Sequence, residues 1–112
     1  MEVLNFYKEG LKIPEGAIYI GRYSAKHGLP QSKYHNPIKL QEGEPRGSTL
    51  DKYRKYLWGE IIAGRITVEE LANLYGTNLV CYCKPKPCHG DILMAAIKWA
   101  KEEMDNAITK ER

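Results

Sequence analysis

Cys81, Cys83, Cys88 and His89 crowd into one short stretch, N-L-V-C-Y-C-K-P-K-P-C-H-G-D-I, running from Asn78 to Ile92. Thiols beside an imidazole support two kinds of chemistry. A thiolate can act as a nucleophile with the ring as its base, or thiolates and a ring nitrogen can ligate zinc. The nucleophilic reading centres on Cys88 and His89. At a helix start, with Lys84 and Lys86 close in sequence, negative charge on the Cys88 sulfur is stabilised by the helix dipole and the cations. The metal reading takes Cys81, Cys83, Cys88 and His89 together, although C-x-C-x4-C-H is not one of the common zinc-ribbon or finger spacings. Each reading has a plain structural counterpart. Cys81 on an apolar strand is read as a small core residue, Cys88 as a helix cap, His89 as a packed ring, and Asp91 as an acid that suits the first helical turn.

A second constellation lies earlier in the chain. Arg22 follows the apolar run A-I-Y-I-G, and a guanidinium at a strand end can make forked bonds to phosphate or carboxylate. Gly21 and Gly90 are small enough for backbone or ligand to approach closely. With Lys84, Lys86 and the amides opening the last helix, Arg22 outlines a phosphate pocket, whose plain alternative is a surface salt bridge. The run Lys52, Tyr53, Arg54, Lys55, Tyr56 mixes bases and aromatics as nucleic-acid binders do. On a helix, however, Tyr53 faces the core while the basic residues meet solvent.

The elements that must position these groups follow from periodicity. Strands are expected over Val3 to Tyr7, Ala17 to Arg22 and Asn78 to Cys83, the last halted by Pro85 and Pro87. Tyr23 to Glu44 has no regular period and is expected to be a long loop, of a kind that often carries function. Ser48 and Asp51 weakly cap a helix whose Leu50, Tyr53, Leu57 and Ile61 share a face, closed by Gly64. Thr67 and Glu70 form a better capping box for a short helix ending at Gly76. The series Ile92, Leu93, Ala96, Ile97, Trp99, Ala100 and Met104 marks a final helix. Trp58 and Trp99 are expected to be core or half-buried anchors. This order predicts an α/β fold, a short mixed or parallel sheet covered by about three helices. If the second and third strands lie side by side and parallel, the loop at Gly21 and Arg22 emerges on the same edge as Cys83 to His89, making one site from two motifs.

At 112 residues, the chain is read as a single domain with a polar tail near 105–112. A net charge of +3 admits a nucleic acid or phosphate partner without demanding one. An odd number of cysteines argues against a disulfide-stapled secreted framework and for a reducing compartment. With no membrane-length apolar run and no leader pattern, a cytoplasmic protein is expected, without a membrane partner.

Two blocks carry a resemblance to a known family. They are V-L-N-F-Y-K with I-Y-I-G-R-Y-S and a following N-P-I, and the late L-V-C-Y-C-K-P-K-P-C-H-G-D-I-L. In these the chain resembles the bacterial and phage family DUF4326, with a looser similarity to DUF488 in the cysteine-histidine turn. The usual family loop is short and ends in Gly-Asn-Pro-aromatic, whereas here His35-Asn36-Pro37-Ile38 ends a longer one. The resemblance implies a small prokaryotic or viral α/β protein with Arg22, Asn36, Cys81, Cys83, Cys88, His89 and Asp91 at motif positions, and it supplies no reaction. The resulting expectation is a protein that binds, and in one version processes, a phosphorylated nucleoside-type ligand. Gly21, Arg22, Asn36, Lys84, Gly90 and Asp91 would hold the ligand, and Cys88 with His89 would stand at the reactive edge. Two alternatives stay open: a non-catalytic module for nucleotide or nucleic acid, and a zinc-stabilised interaction domain. The sequence specifies no oligomeric state and no pathway.

Overall fold

The computed structural model of the protein describes residues 1–39, 42–45, 48–82 and 88–110, with side chains through 107. The elements follow the expected order: β1 (Val3–Asn5), β2 (Ile18–Tyr19), α1 (Thr49–Ile62), α2 (Val68–Asn73), β3 (Leu79–Cys81) and α3 (His89–Lys110). The sheet is parallel throughout, in the order β1-β3-β2. The late strand therefore separates the two early ones, which do not pair with each other.

The strands are shorter than periodicity predicts. β1 ends because Asn5 captures the next donors: its Oδ1 accepts from the amides of Tyr7 at 2.9 Å and Lys8 at 3.3 Å, a local turn that competes with the ladder. Single bonds carry the pairing one residue further, from Phe6 N to the Cys81 carbonyl and from Ile20 N to the Val80 carbonyl.

Side chains alternate across this small sheet, and the two faces differ. Leu79, Cys81 and Ile20 enter a core with Tyr53, Leu57, Leu71, Leu93, Ile97 and Ala100, and Val3 and Ile18 pack against it. This is the helical face. On the opposite face Val80, Phe6 and Leu29 form a smaller buried cluster, edged by Leu4, Ile13, Tyr19 and Tyr82 and supplied by strands and loops rather than helices. Trp58 and Trp99, both half-buried, stack edge to face with centroids 4.7 Å apart, joining α1 to α3.

The expected capping box of α2 is present: Thr67 Oγ1 accepts from Glu70 N and Glu70 Oε1 accepts from Thr67 N. Ser48 occupies the N-cap of α1 but makes no side-chain cap bond, its hydroxyl going instead to Glu44 at 3.2 Å. Gly90, in the first turn of α3, lets that helix sit directly on the sheet. A Cβ there would lie 2.9 Å from both Ile20 Cδ1 and Val3 Cγ1, closer than side-chain packing allows.

Candidate functional site

β2 and β3 are parallel neighbours, so the segments leaving their carboxyl ends meet, as do those leaving β1 and entering α3. A cavity of about 630 Å³ opens at this edge. Its wall combines the two constellations of the sequence, Gly21, Arg22 and Asn36 from the early block with Cys81 and His89 from the late one. Ligands of open α/β sheets are commonly met at such carboxyl edges.

Arg22 is held in place by its own loop. Its Nε donates to the Asn36 carbonyl at 2.8 Å and one terminal nitrogen donates to the Ile38 carbonyl at 2.9 Å. Asn36 completes the fold of this rim, accepting from Ile38 N at 3.0 Å and reaching Thr49 Oγ1 at the start of α1. The guanidinium thus spans 14 to 16 residues of a segment without regular structure and is oriented by the loop's own carbonyls. Further along, Lys33 bridges to Glu70 at 2.8 Å, and the Tyr34 hydroxyl donates to the same carboxylate at 2.7 Å, anchoring the loop to α2. The Tyr34 carbonyl accepts from Tyr53 of α1. Burial, with Tyr56, Cys88 and Tyr34 nearby, pushes the Tyr53 phenol far above its ordinary value, so it remains a proton donor at neutral pH.

The sequence reading does not include an aromatic wall in the site, and the structure adds one. Tyr7, Tyr19, Tyr23, Tyr82 and His27 all line the cavity. Tyr19 lies over Gly21, where any Cβ would collide with its ring, and its hydroxyl donates to the Arg22 carbonyl at 2.6 Å. Burial raises its phenol well above the usual range. His27 sits at the tip of a narrow turn closed by paired bonds between Ser24 and Leu29. Its ring packs against Phe6, Tyr7 and Tyr82, and its buried Nε2 has no hydrogen-bond partner among the described residues. A sequence signal for two of these residues existed. Tyr19 and Tyr82 alternate with the core positions Ile18, Ile20 and Cys81, which puts them on the other face of the sheet.

Behind the cavity, the start of α3 is built from the cysteine-histidine motif. Cys88 is the residue before the helix, and its sulfur accepts from Gly90 N at 3.4 Å, while Asp91 Oδ2 accepts from Cys88 N at 3.2 Å. Sulfur thus takes the part of an N-cap oxygen, accepting from the second amide of the helix, while the Asp91 carboxylate reaches back to the Cys88 amide. The Cys88 sulfur lies 2.6 Å from that of Cys81, and both residues are buried thiols. His89 Nε2 is 2.7 Å from the Ile20 carbonyl. A carbonyl only accepts, so the proton belongs on Nε2, leaving Nδ1 as an acceptor 3.7 Å from Cys88 Sγ. A backbone carbonyl thus holds one nitrogen of this imidazole, a partner that side-chain motifs in the sequence do not reveal.

The expected site residues therefore fall into two layers. Gly21, Arg22, Asn36, Cys81 and His89 line the cavity, and Cys88, Gly90 and Asp91 stand behind it and shape the helix start. Cys83, Lys84 and Lys86 lie outside the described residues. Among the described residues, no three histidine, cysteine or acidic side chains are grouped as they would be around a metal ion. Among the same residues, no helix is long and apolar enough to cross a membrane.

The chain is 44% identical, over 48 residues, to the "Uncharacterized 12.4 kDa protein in nrdA-td intergenic region" of Enterobacteria phage T4. The match covers 43% of this chain and 44% of that protein, so it spans less than half of the relative. No solved structure matches the chain significantly. Residues 4–99 match the family described as "Domain of unknown function (DUF4326)", and the chain belongs to that family.

Proposed function

We propose that the protein binds a phosphorylated nucleoside-type ligand in the cavity at the carboxyl edge of the sheet. The observation that carries this reading is the composition of one wall: tyrosines and His27 sit in the same cavity as Arg22 and Lys26. A planar base gains stacking energy on aromatic faces, and an oriented guanidinium with a neighbouring ammonium suits a phosphate. The volume, about 630 Å³, is within the range of small-molecule sites. Arg22 enters already fixed by two carbonyls, so little side-chain entropy is lost when an anion meets it.

Titration calorimetry with nucleoside monophosphates, the matching nucleosides and inorganic phosphate, each as a separate probe, tests the proposal. At least one nucleotide should bind at a single site, more tightly than its nucleoside or phosphate alone. Tyr82→Ala should weaken that binding by roughly five- to a hundredfold, the usual worth of one base–aromatic stack. Failure of every nucleotide to bind saturably would reject the reading. Mass spectrometry of the recovered nucleotide, unchanged or converted, then separates a binding module from an enzyme.

A further inference from the structure

We propose that Cys81 and Cys88 form a redox modification site, in which a peroxide entering the cavity oxidises Cys81 and Cys88 resolves the product as a disulfide. Three features of the geometry assign the roles. Both residues are only 1% exposed, but Cys81 contributes to the cavity wall and Cys88 does not, so a small oxidant inside the cavity meets Cys81 first. The two sulfurs are 2.6 Å apart across β3 and the start of α3, and a bond at about 2.05 Å needs only a short movement of either side chain. Cys88 is supported as an attacking thiolate, with an amide donor from Gly90 and the amino end of a 22-residue helix behind it, and His89 Nδ1 facing its sulfur.

The steps balance. The Cys81 sulfur attacks one peroxide oxygen, the O–O bond breaks, and the proton given up by the Cys81 thiol goes to the departing hydroxide, which leaves as water and gives a sulfenic acid at Cys81. The Cys88 proton passes to His89 Nδ1. The Cys88 sulfur then attacks the Cys81 sulfur, the S–O bond breaks, and the hydroxide leaves as a second water with the proton held by His89. Two thiols and one peroxide thus become one disulfide and two waters. The inference shares the cavity with the nucleotide reading but requires no nucleotide, so either can fail alone.

The test treats the full chain with hydrogen peroxide and follows its intact mass without reductant. Wild-type protein and Cys83→Ser should each lose two hydrogens. Cys88→Ser should stop at a sulfenic acid on Cys81 that dimedone traps, faster than any labelling of Cys88 in Cys81→Ser, because Cys81 alone of the two lines the cavity. Tandem mass spectrometry of the oxidised wild-type protein assigns the bridge directly, so the outcome does not depend on the serine variants folding. A bridge that includes Cys83, no bridge at all, or faster labelling at Cys88 would each overturn the assignment.

Discussion

The two faces of the sheet are covered in different ways, and the difference locates the site. On the helical face, Leu79, Cys81, Ile18 and Ile20 belong to one core shared with residues of all three helices, whose apolar stripes repeat regularly, so the packing is continuous. On the opposite face, Val80, Phe6 and Leu29 lie beneath turns and a loop, and the aromatic residues at the edge of that cluster also line the cavity. One face is filled by regular secondary structure, whereas the other is finished by side chains on irregular segments. A cavity at their shared edge takes the Cys81 thiol and the His89 imidazole from the first and its rings from the second.

Truncation on either face should separate stability from binding. Leu93→Ala, at a fully buried position on α3, should cost about 2–5 kcal/mol, a loss large enough to unfold many small domains. Leu29→Ala, 8% exposed beneath a short turn that can collapse into the space, should fall near the bottom of that range, about 2 kcal/mol. The turn carrying His27 would shift, so nucleotide affinity should drop more for Leu29→Ala than for Leu93→Ala under conditions where both are folded. Urea denaturation with parallel titrations checks the pair. Equal costs in both measurements would erase the distinction between the faces.

Gly90→Ala sharpens the comparison at the seam. The new methyl would press on Ile20 and Val3, and backing α3 away from the sheet should cost about 1–3 kcal/mol, the usual penalty for overpacking. The same movement stretches the bond from His89 to the Ile20 carbonyl, so peroxide-driven closure of the Cys81–Cys88 bridge should slow in parallel. A loss of stability with unchanged oxidation kinetics would show that the helix start and the imidazole are not mechanically linked.

What could be read from the sequence follows the same division. The helices and the capping box at Thr67 and Glu70 rest on periodicity or local chemistry, which sequence carries directly, whereas the parallel pairing that brings Gly21 and Arg22 to Cys81 and His89 could be stated only as a condition. The position of β3 between β1 and β2 depends on pairing with residues 76 and 61 positions earlier, and no local pattern encodes it. Arg22 stood out in the sequence as a guanidinium at a strand end but not as the clamp on the Asn36 and Ile38 carbonyls, because those acceptors are backbone groups of an aperiodic loop. The thiols were legible as a cluster. Which one meets the cavity was not, since strand alternation aims Cys81 at the core, yet its place at the strand end makes it part of the cavity wall.

The smallest effect concerns the anchor that holds the irregular face to the regular one. Glu70 accepts from Lys33, Tyr34 and the Thr67 amide. Burial alone would raise its pKa, but the Lys33 bond, the Thr67 amide and the Tyr34 hydroxyl outweigh it and hold the carboxyl below its ordinary value. A folded pKa below the unfolded one means that the stabilisation is complete above the unfolded value of about 4.5 and is lost as pH falls through the folded value. Glu70→Gln keeps an oxygen for the Thr67 amide and removes the charge. It should therefore cost no more than about 1 kcal/mol at neutral pH, because Lys33 is half exposed and the pair is screened. The gap to the wild type should close below the normal glutamate range. Nucleotide affinity should weaken modestly at neutral pH as the loop carrying Asn36 loosens from α2. Thermal melts of both proteins from about pH 7 down to about pH 3 check this, a span that brackets the titration of an ordinary glutamate. A stability gap that persisted undiminished at the acid end would mean that the substituted amide disturbs the capping box rather than the charge, and that the loop is held to α2 by something other than the Glu70 carboxylate.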